Sequence, residues 1–249
     1  MTPARPRLDA LLVDRGLVES EAHAQGLILA GKVFVRGQRV DKAGTRVADD
    51  APVEVREDHG WASRGAFKLL GALEAFPWLA ERVRGADCLD VGASTGGFTD
   101  VLLRHGAARV IALDVGYGIL HWRLRSDARV VVMDRTNIRT LEPGALPFAP
   151  SVATCDASFI SVRSFLDVVF RELAPGGVFV VLVKPQFELG REEVPDGGVV
   201  SDEAARVRAL EDVAASAVVA GFTVRGHAES PLSGPRGNRE WLLALEKVA

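Results

Sequence analysis

The chain has few of the residues on which several protein classes depend. It contains two cysteines, Cys88 and Cys155, both inside apolar strand-like runs. That excludes a disulfide framework or a cysteine zinc site and makes a reducing cytoplasm the expected compartment. The five histidines, His23, His59, His105, His121 and His227, are scattered without ligand spacing, so no metal is expected. Long apolar runs are missing as well: the longest, Val178 to Val183, falls far short of the roughly 18 residues that a bilayer span needs. Near the N-terminus, Arg5, Arg7 and Asp9 stand where a signal peptide carries an apolar segment, and no membrane partner is expected. A large excess of one charge is also absent. The net charge of -3 does not by itself point to nucleic acid.

What is there suits a soluble globular protein. The 249 residues are 48% apolar and 25% charged, enough for one large domain with a small appendage. The division falls near residue 59. Before it, Leu8, Leu11 and Leu12 recur at helical spacing, and Ser20 stands as the cap of a second helix with Ala24, Leu27 and Ile28 on its apolar face. Gly31 stops that helix. Val33 and Val35 then alternate with Phe34 and Arg36, Gly37 and Gln38 make the expected tight turn, and Val53 to Val55 closes the unit as a strand.

Charge is concentrated in this small module. Between Gly31 and Arg46, five basic residues (Lys32, Arg36, Arg39, Lys42 and Arg46) face one acid, Asp41. Such a stripe suits phosphate backbones, because each neutralised phosphate releases a counterion. A solvated hairpin face would carry the same charges.

The order Arg7-Leu8-Asp9, Leu12, Ser20 and Gly31-Lys32-Val33-Phe34-Val35-Arg36-Gly37 resembles the S4 RNA-binding module. By that resemblance residues 1–58 form a small α+β RNA-binding domain, with Arg7, Lys32, Arg36, Arg39, Lys42 and Arg46 toward RNA, followed by a linker over 59–63. There are two departures. Ser20-Glu21 replaces the common Ser-Arg pair, which removes a basic contact, and Arg36 replaces the usual Asn before the turn glycine.

Strand-like and helical runs alternate over 64–249. Strands are predicted near Asp87 to Val91, Arg109 to Asp114, Val130 to Met133, Val152 to Cys155, Val178 to Val183, Thr223 to Ala228 and Trp241 to Leu245. The alternation implies an α/β domain, a mostly parallel seven-stranded sheet with ligands at the carboxyl ends of its strands. Pro231 to Gly237, between the last two runs, has no helical character, so an edge hairpin is expected there.

The first of these strands leads into Asp90-Val91-Gly92-Ala93-Ser94-Thr95-Gly96-Gly97-Phe98-Thr99. Its small residues let the backbone approach a ligand, and Gly96-Gly97 opens a helix whose amides can face a negative group. The dinucleotide fingerprint G-x-G-x-x-G is absent, which weakens a dehydrogenase reading. Asp90 ahead of the turn would repel a pyrophosphate but attract the ammonium or sulfonium region of S-adenosylmethionine. Asp114 ends the second strand where a carboxylate can bind both ribose hydroxyls of an adenosine cofactor, and Asp134 ends the third, beside the adenine. Singly, each is more readily an ordinary strand-end aspartate than a ligand, since loops favour Asp anyway. Three at successive strand ends are harder to dismiss.

Asp156 and Lys184 each follow an apolar run. A lysine in such a place is either partly desolvated, which favours the neutral amine, or snorkels to solvent. Ser63-Arg64-Gly65-Ala66-Phe67-Lys68 and Gly237-Asn238-Arg239-Glu240-Trp241 complete the order Lys68, Asp156, Lys184, Glu240. In this the large domain resembles the Rossmann-like FtsJ ribose 2′-O-methyltransferases. Seven motifs sharpen the match: Ser63-Arg64-Gly65, Gly92 to Thr99, Asp114 to Gly118, Arg135-Thr136-Asn137, Ser158 to Ser161, Val183 to Glu188 and Gly197 to Val200. Together they resemble the TlyA family, cytidine 2′-O-methyltransferases of ribosomal RNA.

The resemblance implies S-adenosylmethionine as cofactor, ribosomal RNA in ribosomal subunits as partner, and Lys68, Asp156, Lys184 and Glu240 as a catalytic tetrad. It puts Ser63, Asp90, Gly92, Ala93, Ser94, Thr95, Gly96, Gly97, Phe98, Asp114, Val115, Asp134, Arg135 and Asp156 around the cofactor. Arg163, Arg191 and Arg236 lie on segments expected at the crevice mouth, toward RNA or solvent, and 186–200 reads as a lid. Two other classes stay open: a haemolysin-like membrane-active protein, disfavoured by the missing apolar span, and a catalytically silent rRNA-binding assembly factor.

Overall fold

The computed structural model describes residues 5–18, 20–29, 31–55, 60–234 and 237–248. His59, the first residue of the expected linker, and Arg236 lie outside them. Contacts divide the chain into two units, residues 1–60 and 61–249.

The small unit runs α1 (Leu8–Asp14), α2 (Glu21–Leu29), β1 (Val33–Val35), β2 (Gln38–Arg39) and β3 (Val53–Val55). Leu8, Leu11 and Leu12 of α1 meet Ala24 and Ile28 of α2 and Val33 of β1 in one core, as their helical spacing dictates. Ser20 caps α2 by accepting the His23 N–H at 3.2 Å. The strands pair antiparallel in the order β2-β1-β3. The hairpin turn is one residue earlier than expected. Arg36 and Gly37 both have positive φ, 51° and 76°, and Gln38 already pairs with Val35. Two left-handed residues in succession make the tight turn whose twist matches the flanking strands, a conformation that Asn or Gly adopts with less strain than Arg36.

Arg7, expected to face RNA, is used inside this unit. Its guanidinium grips the buried Asp9 through two hydrogen bonds of 3.0 and 2.6 Å. That grip holds the Asp9 carboxyl at about 2, well below the usual range and against the opposing effect of burial.

The large unit comprises α3 (Ala66–Ala75), α4 (Trp78–Val83), β4 (Asp87–Val91), α5 (Gly97–Arg104), β5 (Arg109–Leu113), α6 (Trp122–Arg125), β6 (Val130–Met133), β7 (Val152–Cys155), α7 (Leu166–Glu172), β8 (Val178–Val183), α8 (Pro185–Glu188), α9 (Glu203–Val219), β9 (Phe222–Glu229) and β10 (Trp241–Lys247). Its seven-stranded sheet has the order β6-β5-β4-β7-β8-β10-β9. The first five are parallel. β10 runs antiparallel to both neighbours, which gives the expected edge hairpin with β9. Side chains alternate between two cores: Val178, Val180 and Leu182 pack with α3 and α5, while Phe179, Val181 and Val183 pack with α7 and α9. The chain steps outward in one direction through β5 and β6 and in the other through β7 and β8, so a crevice opens at the carboxyl ends of β4 and β7.

Residues 61–63, expected as linker, pack against this unit. The Ala62 N–H donates to the buried Asp100 carboxylate at 2.9 Å, and the Arg104 guanidinium lies 4.2 Å over the Trp61 ring. Alternation also relocates Asp90. One residue before the end of β4 it points with Cys88 toward the α5 side, where it accepts hydrogen bonds from Thr99 Oγ1 at 2.7 Å and Thr154 Oγ1 at 3.3 Å and is 1% exposed. Its carboxyl is thus beneath the glycine loop, away from the crevice lining. Burial pushes it up to about 7, although the hydrogen bonds from Thr99 and Thr154 act the other way.

This value sets a pH dependence. A carboxyl whose folded-state value lies above its unfolded value of 3.8 contributes stability that is complete in acid, declines as pH rises, and is lost once pH passes about 7. Asp90→Asn cannot ionise, so its stability relative to the parent should improve by a few kcal/mol between pH 4 and pH 8. Urea unfolding across that range checks this, and parallel stability curves for the two proteins would refute it.

Candidate active site

The crevice is a cleft of about 1060 Å³ at the carboxyl edge of the sheet. Its floor is the loop after β4, and glycine is required there. A Cβ on Gly92, whose φ is +75°, would lie 3.0 Å from the Ala157 backbone, and one on Gly97 would lie 2.8 Å from the Ala66 amide nitrogen. The loop is therefore pressed against the segment after β7 on one side and the start of α3 on the other. Gly96, with φ +98°, caps α5 behind this floor, where a Cβ would run into Leu124.

Asp114 stands just beyond β5. Its Oδ2 accepts the Ser94 N–H at 2.8 Å and its Oδ1 the Gly116 N–H at 2.7 Å, so each carboxylate oxygen keeps a lone pair for a further donor. Apolar side chains flank it: Val115 is 68% exposed, and Ile119 and Ile138 also line the cleft. A carboxylate facing an apolar slot, above a loop with no room for side chains, fits the ribose and base of an adenosine cofactor.

Asp134 and Arg135 are elsewhere. Asp134 accepts from Arg125 at 2.5 Å and from the Gly118 N–H at 3.2 Å, and the Arg125 bond holds its carboxyl below the ordinary range. Arg135, at φ 54°, lies 4.3 Å over the Tyr117 ring. Both brace the 114–119 loop from behind, and Thr136, Asn137 and Ile138 line the cleft in their place. Thr136 and Asn137 end the Arg135-Thr136-Asn137 motif and Ile138 follows it, and that motif is the signal that could have found them.

Beside the cofactor-shaped part lies a chain of charges. Lys184 Nζ is 2.7 Å from Asp156 Oδ1, Lys68 Nζ is 3.3 Å from the same oxygen, and Lys68 Nζ is 2.7 Å from Glu240 Oε2. Each comes from a different element: Lys68 from α3, Asp156 and Lys184 from the residues just after β7 and β8, and Glu240 from the residue before β10. Strand register makes them meet. β7 and β8 run parallel and end at the same edge, so Asp156 and Lys184, which follow them, stand there, and the antiparallel pair of Val183 with Trp241 brings Glu240, which precedes β10, to that edge too. Lys68, Lys184 and Glu240 are buried, and Asp156 is open to the cleft. Burial works against the Lys68 ammonium, but the Asp156 and Glu240 carboxylates outweigh it and hold Lys68 above the ordinary lysine value.

A second buried carboxylate went unread in the sequence. Glu188 of α8 accepts the Ser161 hydroxyl at 2.6 Å and the Val162 N–H at 2.7 Å, while Arg163 donates to its backbone carbonyl at 2.6 Å. Arg163, expected to face RNA, thus has an internal partner. The lid expected over 186–200 is tied at both ends, by Glu188 and by Asn238, which accepts the Val200 N–H at 2.9 Å and donates to the Gly198 carbonyl at 2.7 Å. Arg191 is exposed within it. Among the described residues no group of His, Cys, Asp and Glu could hold a metal ion.

Residues 61–247 match the FtsJ-like methyltransferases, and residues 6–52 match the S4 domain. The 16S/23S rRNA (cytidine-2′-O)-methyltransferase TlyA of Mycobacterium tuberculosis is 49% identical over 243 residues, which span 97% of this chain and 90% of that protein. The chain belongs to the TlyA family of FtsJ-like methyltransferases. Hemolysin A of Brachyspira hyodysenteriae is 39% identical over 237 residues, 95% of this chain and 98% of that one. A solved structure from Streptococcus thermophilus, described as a candidate hemolysin, superposes with a TM-score of 0.75 at 41% identity, covering 98% of this chain and 89% of its own. Membership of the TlyA family makes the chain a methyltransferase with a fold of the S-adenosylmethionine-binding kind.

Removing one partner from a buried ion pair leaves an uncompensated charge. Glu240→Ala should therefore cost about 3 kcal/mol, and the double change Lys68→Met, Glu240→Leu should cost clearly less. Denaturant unfolding of both variants checks this; a Glu240→Ala protein within about 0.5 kcal/mol of the parent would mean that the pair is not buried as described.

Proposed function

We propose that this chain methylates the ribose 2′-oxygen of a cytidine in ribosomal RNA of ribosomal subunits, with S-adenosylmethionine as methyl donor. The observation that carries this reading is the Lys184, Asp156, Lys68, Glu240 chain beside a cleft of adenosine shape. The TlyA protein of Mycobacterium tuberculosis, named for 16S and 23S rRNA and for cytidine, supports the choice of substrate.

S-adenosylmethionine supplies, when bound, a methyl group activated by its sulfonium. Asp114 would accept the two ribose hydroxyls of the cofactor through its remaining lone pairs, with Val115, Ile119 and Ile138 against the base. A ribose hydroxyl is a weak nucleophile at neutral pH, so its proton needs a positioned acceptor. With Lys68 held as an ammonium between two carboxylates, Lys184 is the lysine left to take that proton. Asp156 orients Lys184 and balances the charge that it gains. Phe159 is 90% exposed at the cleft, in a left-handed backbone conformation with φ 65° and its ring centroid 5.3 Å from that of Phe187. A strained, exposed aromatic beside the chemistry suits stacking on a base drawn out of its helix.

In the small unit, Arg36, Arg39 and Lys42 are exposed along the hairpin and would bind RNA phosphates. Arg46 is exposed as well, but donates to the Arg5 carbonyl at 3.0 Å. Among the described residues no helix is long and apolar enough to cross a membrane.

The test is incubation with labelled S-adenosylmethionine and unmodified ribosomal subunits, followed by mapping of 2′-O-methyl marks. Cytidine marks are expected; binding without transfer would establish a silent assembly factor instead. Lys184→Ala should lose at least 100-fold in rate with cofactor affinity near that of the parent. Asp114→Ala should weaken cofactor binding by about 1.5–3 kcal/mol and recover much of the rate at saturation. The opposite pattern in either variant would reassign the residue.

A separate measurement addresses the stripe. Changing Arg36, Arg39 and Lys42 together to Ala should weaken subunit binding and flatten the slope of log affinity against log salt by about 2–3. Unchanged slope and affinity would remove the hairpin from the RNA interface.

A further inference from the structure

The proton acceptor assigned above has more partners than its role allows. Three acceptors surround Lys184 Nζ: Asp156 Oδ1 at 2.7 Å, the Asp156 backbone carbonyl at 3.1 Å and Ser158 Oγ at 2.9 Å. An ammonium has three hydrogens, and all three are committed. A substrate hydroxyl can reach Nζ only by taking the direction of one of these. The carbonyl is fixed in the backbone and Asp156 carries charge, whereas Ser158 is neutral, exposed and part of the cleft lining.

We infer that Ser158 is a positioning residue for methyl transfer, whose hydroxyl occupies the place where the substrate's 2′-oxygen must stand and governs how readily Lys184 gives up its third hydrogen. This rests on the methyltransferase reading of the site. When Nζ sheds one proton to solvent in the open cleft, its bonds to Asp156 persist and its lone pair turns toward Ser158. The arriving ribose hydroxyl then displaces the serine hydroxyl and donates to Nζ. As the oxygen–methyl bond forms and the sulfur–methyl bond breaks, the ribose proton ends on Lys184.

The backbone supports this assignment. The segment that bears Ser158 is fixed on both sides, by the lysine contacts of Asp156 and by the bonds of Ser161 and Val162 to Glu188. Phe159, immediately after Ser158, has the left-handed φ of 65°, which is uncommon for a bulky residue and recurs at functional sites. The loop backbone therefore stays in place, and the serine hydroxyl yields to the substrate by rotation about its own χ1. Around Nζ the charged and titratable groups are Asp156, then Lys68 and Glu240 beyond it, and the buried Cys155 thiol, which burial pushes up to about 12. None but Asp156 touches Nζ among the contacts described, so loss of Ser158 alters one direct partner only.

The experiment is single-turnover methyl transfer as a function of pH, with full-length protein at saturating S-adenosylmethionine and with protein and ribosomal subunits kept below their binding constant, so that the rate reports Lys184 before the ribose displaces Ser158. The parent first has to transfer methyl groups to RNA; if it does not, the function proposed above fails and the serine is not at fault. Given an active parent, Ser158→Ala removes an acceptor from the ammonium, so the acidic limb of its profile should move down by about one pH unit. Ser158→Thr, which keeps a hydroxyl, should overlay the parent. Ser158→Val, which matches threonine in shape without a hydroxyl, should move in the same direction as the alanine variant, which covers the case in which the latter does not fold. S-adenosylmethionine affinity should stay within about twofold in every variant. Alanine and valine profiles that coincide with that of the parent would overturn the inference, as would a threonine variant that shifts like alanine.

Discussion

The carboxylate of Asp156 stands between two lysines, and the arrangement of the large unit is organised around it. Three charged side chains are almost removed from water here, Lys68 at 8%, Lys184 at 5% and Glu240 at 2% exposure. Isolated, each would carry a desolvation penalty of several kcal/mol. Together the two lysines and the two acids cancel in formal charge, and the contacts of 2.7, 3.3 and 2.7 Å leave no member of the chain without an opposite partner. The same pairing that makes the burial tolerable also gives the two lysines different surroundings. Lys68 is flanked by two carboxylates and stays charged. Lys184 has one carboxylate and two neutral oxygens, and it faces the cleft.

Nothing local in the chain could assemble this group, because its members are 172 residues apart at the extremes. The sheet does it. The parallel pairings of β4, β7 and β8 put their following residues at one edge, and the reversed direction of β10 brings its preceding residue to that edge instead of its following one. Glycines then set how closely the elements approach. Pro231, in the loop that leads to Glu240, lies where a Cβ on Gly71 of α3 would be, at 2.6 Å, and Glu240 itself lies 2.6 Å from where one on Gly234 would be. A side chain at Gly71 would push α3 and this loop apart, and one at Gly234 would press on the Glu240 carboxylate itself, so that either would disturb the pair between Lys68 and Glu240.

Much of this was legible in the sequence because it depends on patterns of period 2 and on residues that end strands. All seven strands of the large unit were predicted within about two residues, and with them the edge to which Asp114, Asp156, Lys184 and Glu240 belong. What was not legible depends on which of two faces a residue takes or on a partner far along the chain. Asp90 looked like its strand-end neighbours, yet it stands one residue before the end of β4, and parity turns it under the loop. Arg163 looked like a solvent or RNA contact because Glu188, which holds it, lies 25 residues along the chain, and Arg7 did so because the sequence does not show that its neighbour Asp9 is buried. The hairpin turn was displaced by one because Arg36 is a poor left-handed residue and Gly37 seemed sufficient alone.

The small unit shows how an overall charge can mislead. The whole chain is acidic by three, while sixteen consecutive residues of the small unit carry a net charge of +4. The bonds within the unit divide that positive charge into two kinds. Arg7 spends its donors on Asp9, which without it would be a buried carboxylate with Gln25 as its remaining side-chain donor, and so belongs to the architecture of the module. Arg36, Arg39 and Lys42 have exposed positions at and after a turn whose twist is set by the strands, and in β1 Phe34 lies directly opposite Arg39. Exposed cations on a rigid hairpin keep their fields and lose little freedom on meeting phosphate, whereas a guanidinium already bound to a buried carboxylate would have to surrender that partner first. The two roles are therefore separable by burial of the acid partner, a distinction that net charge cannot express.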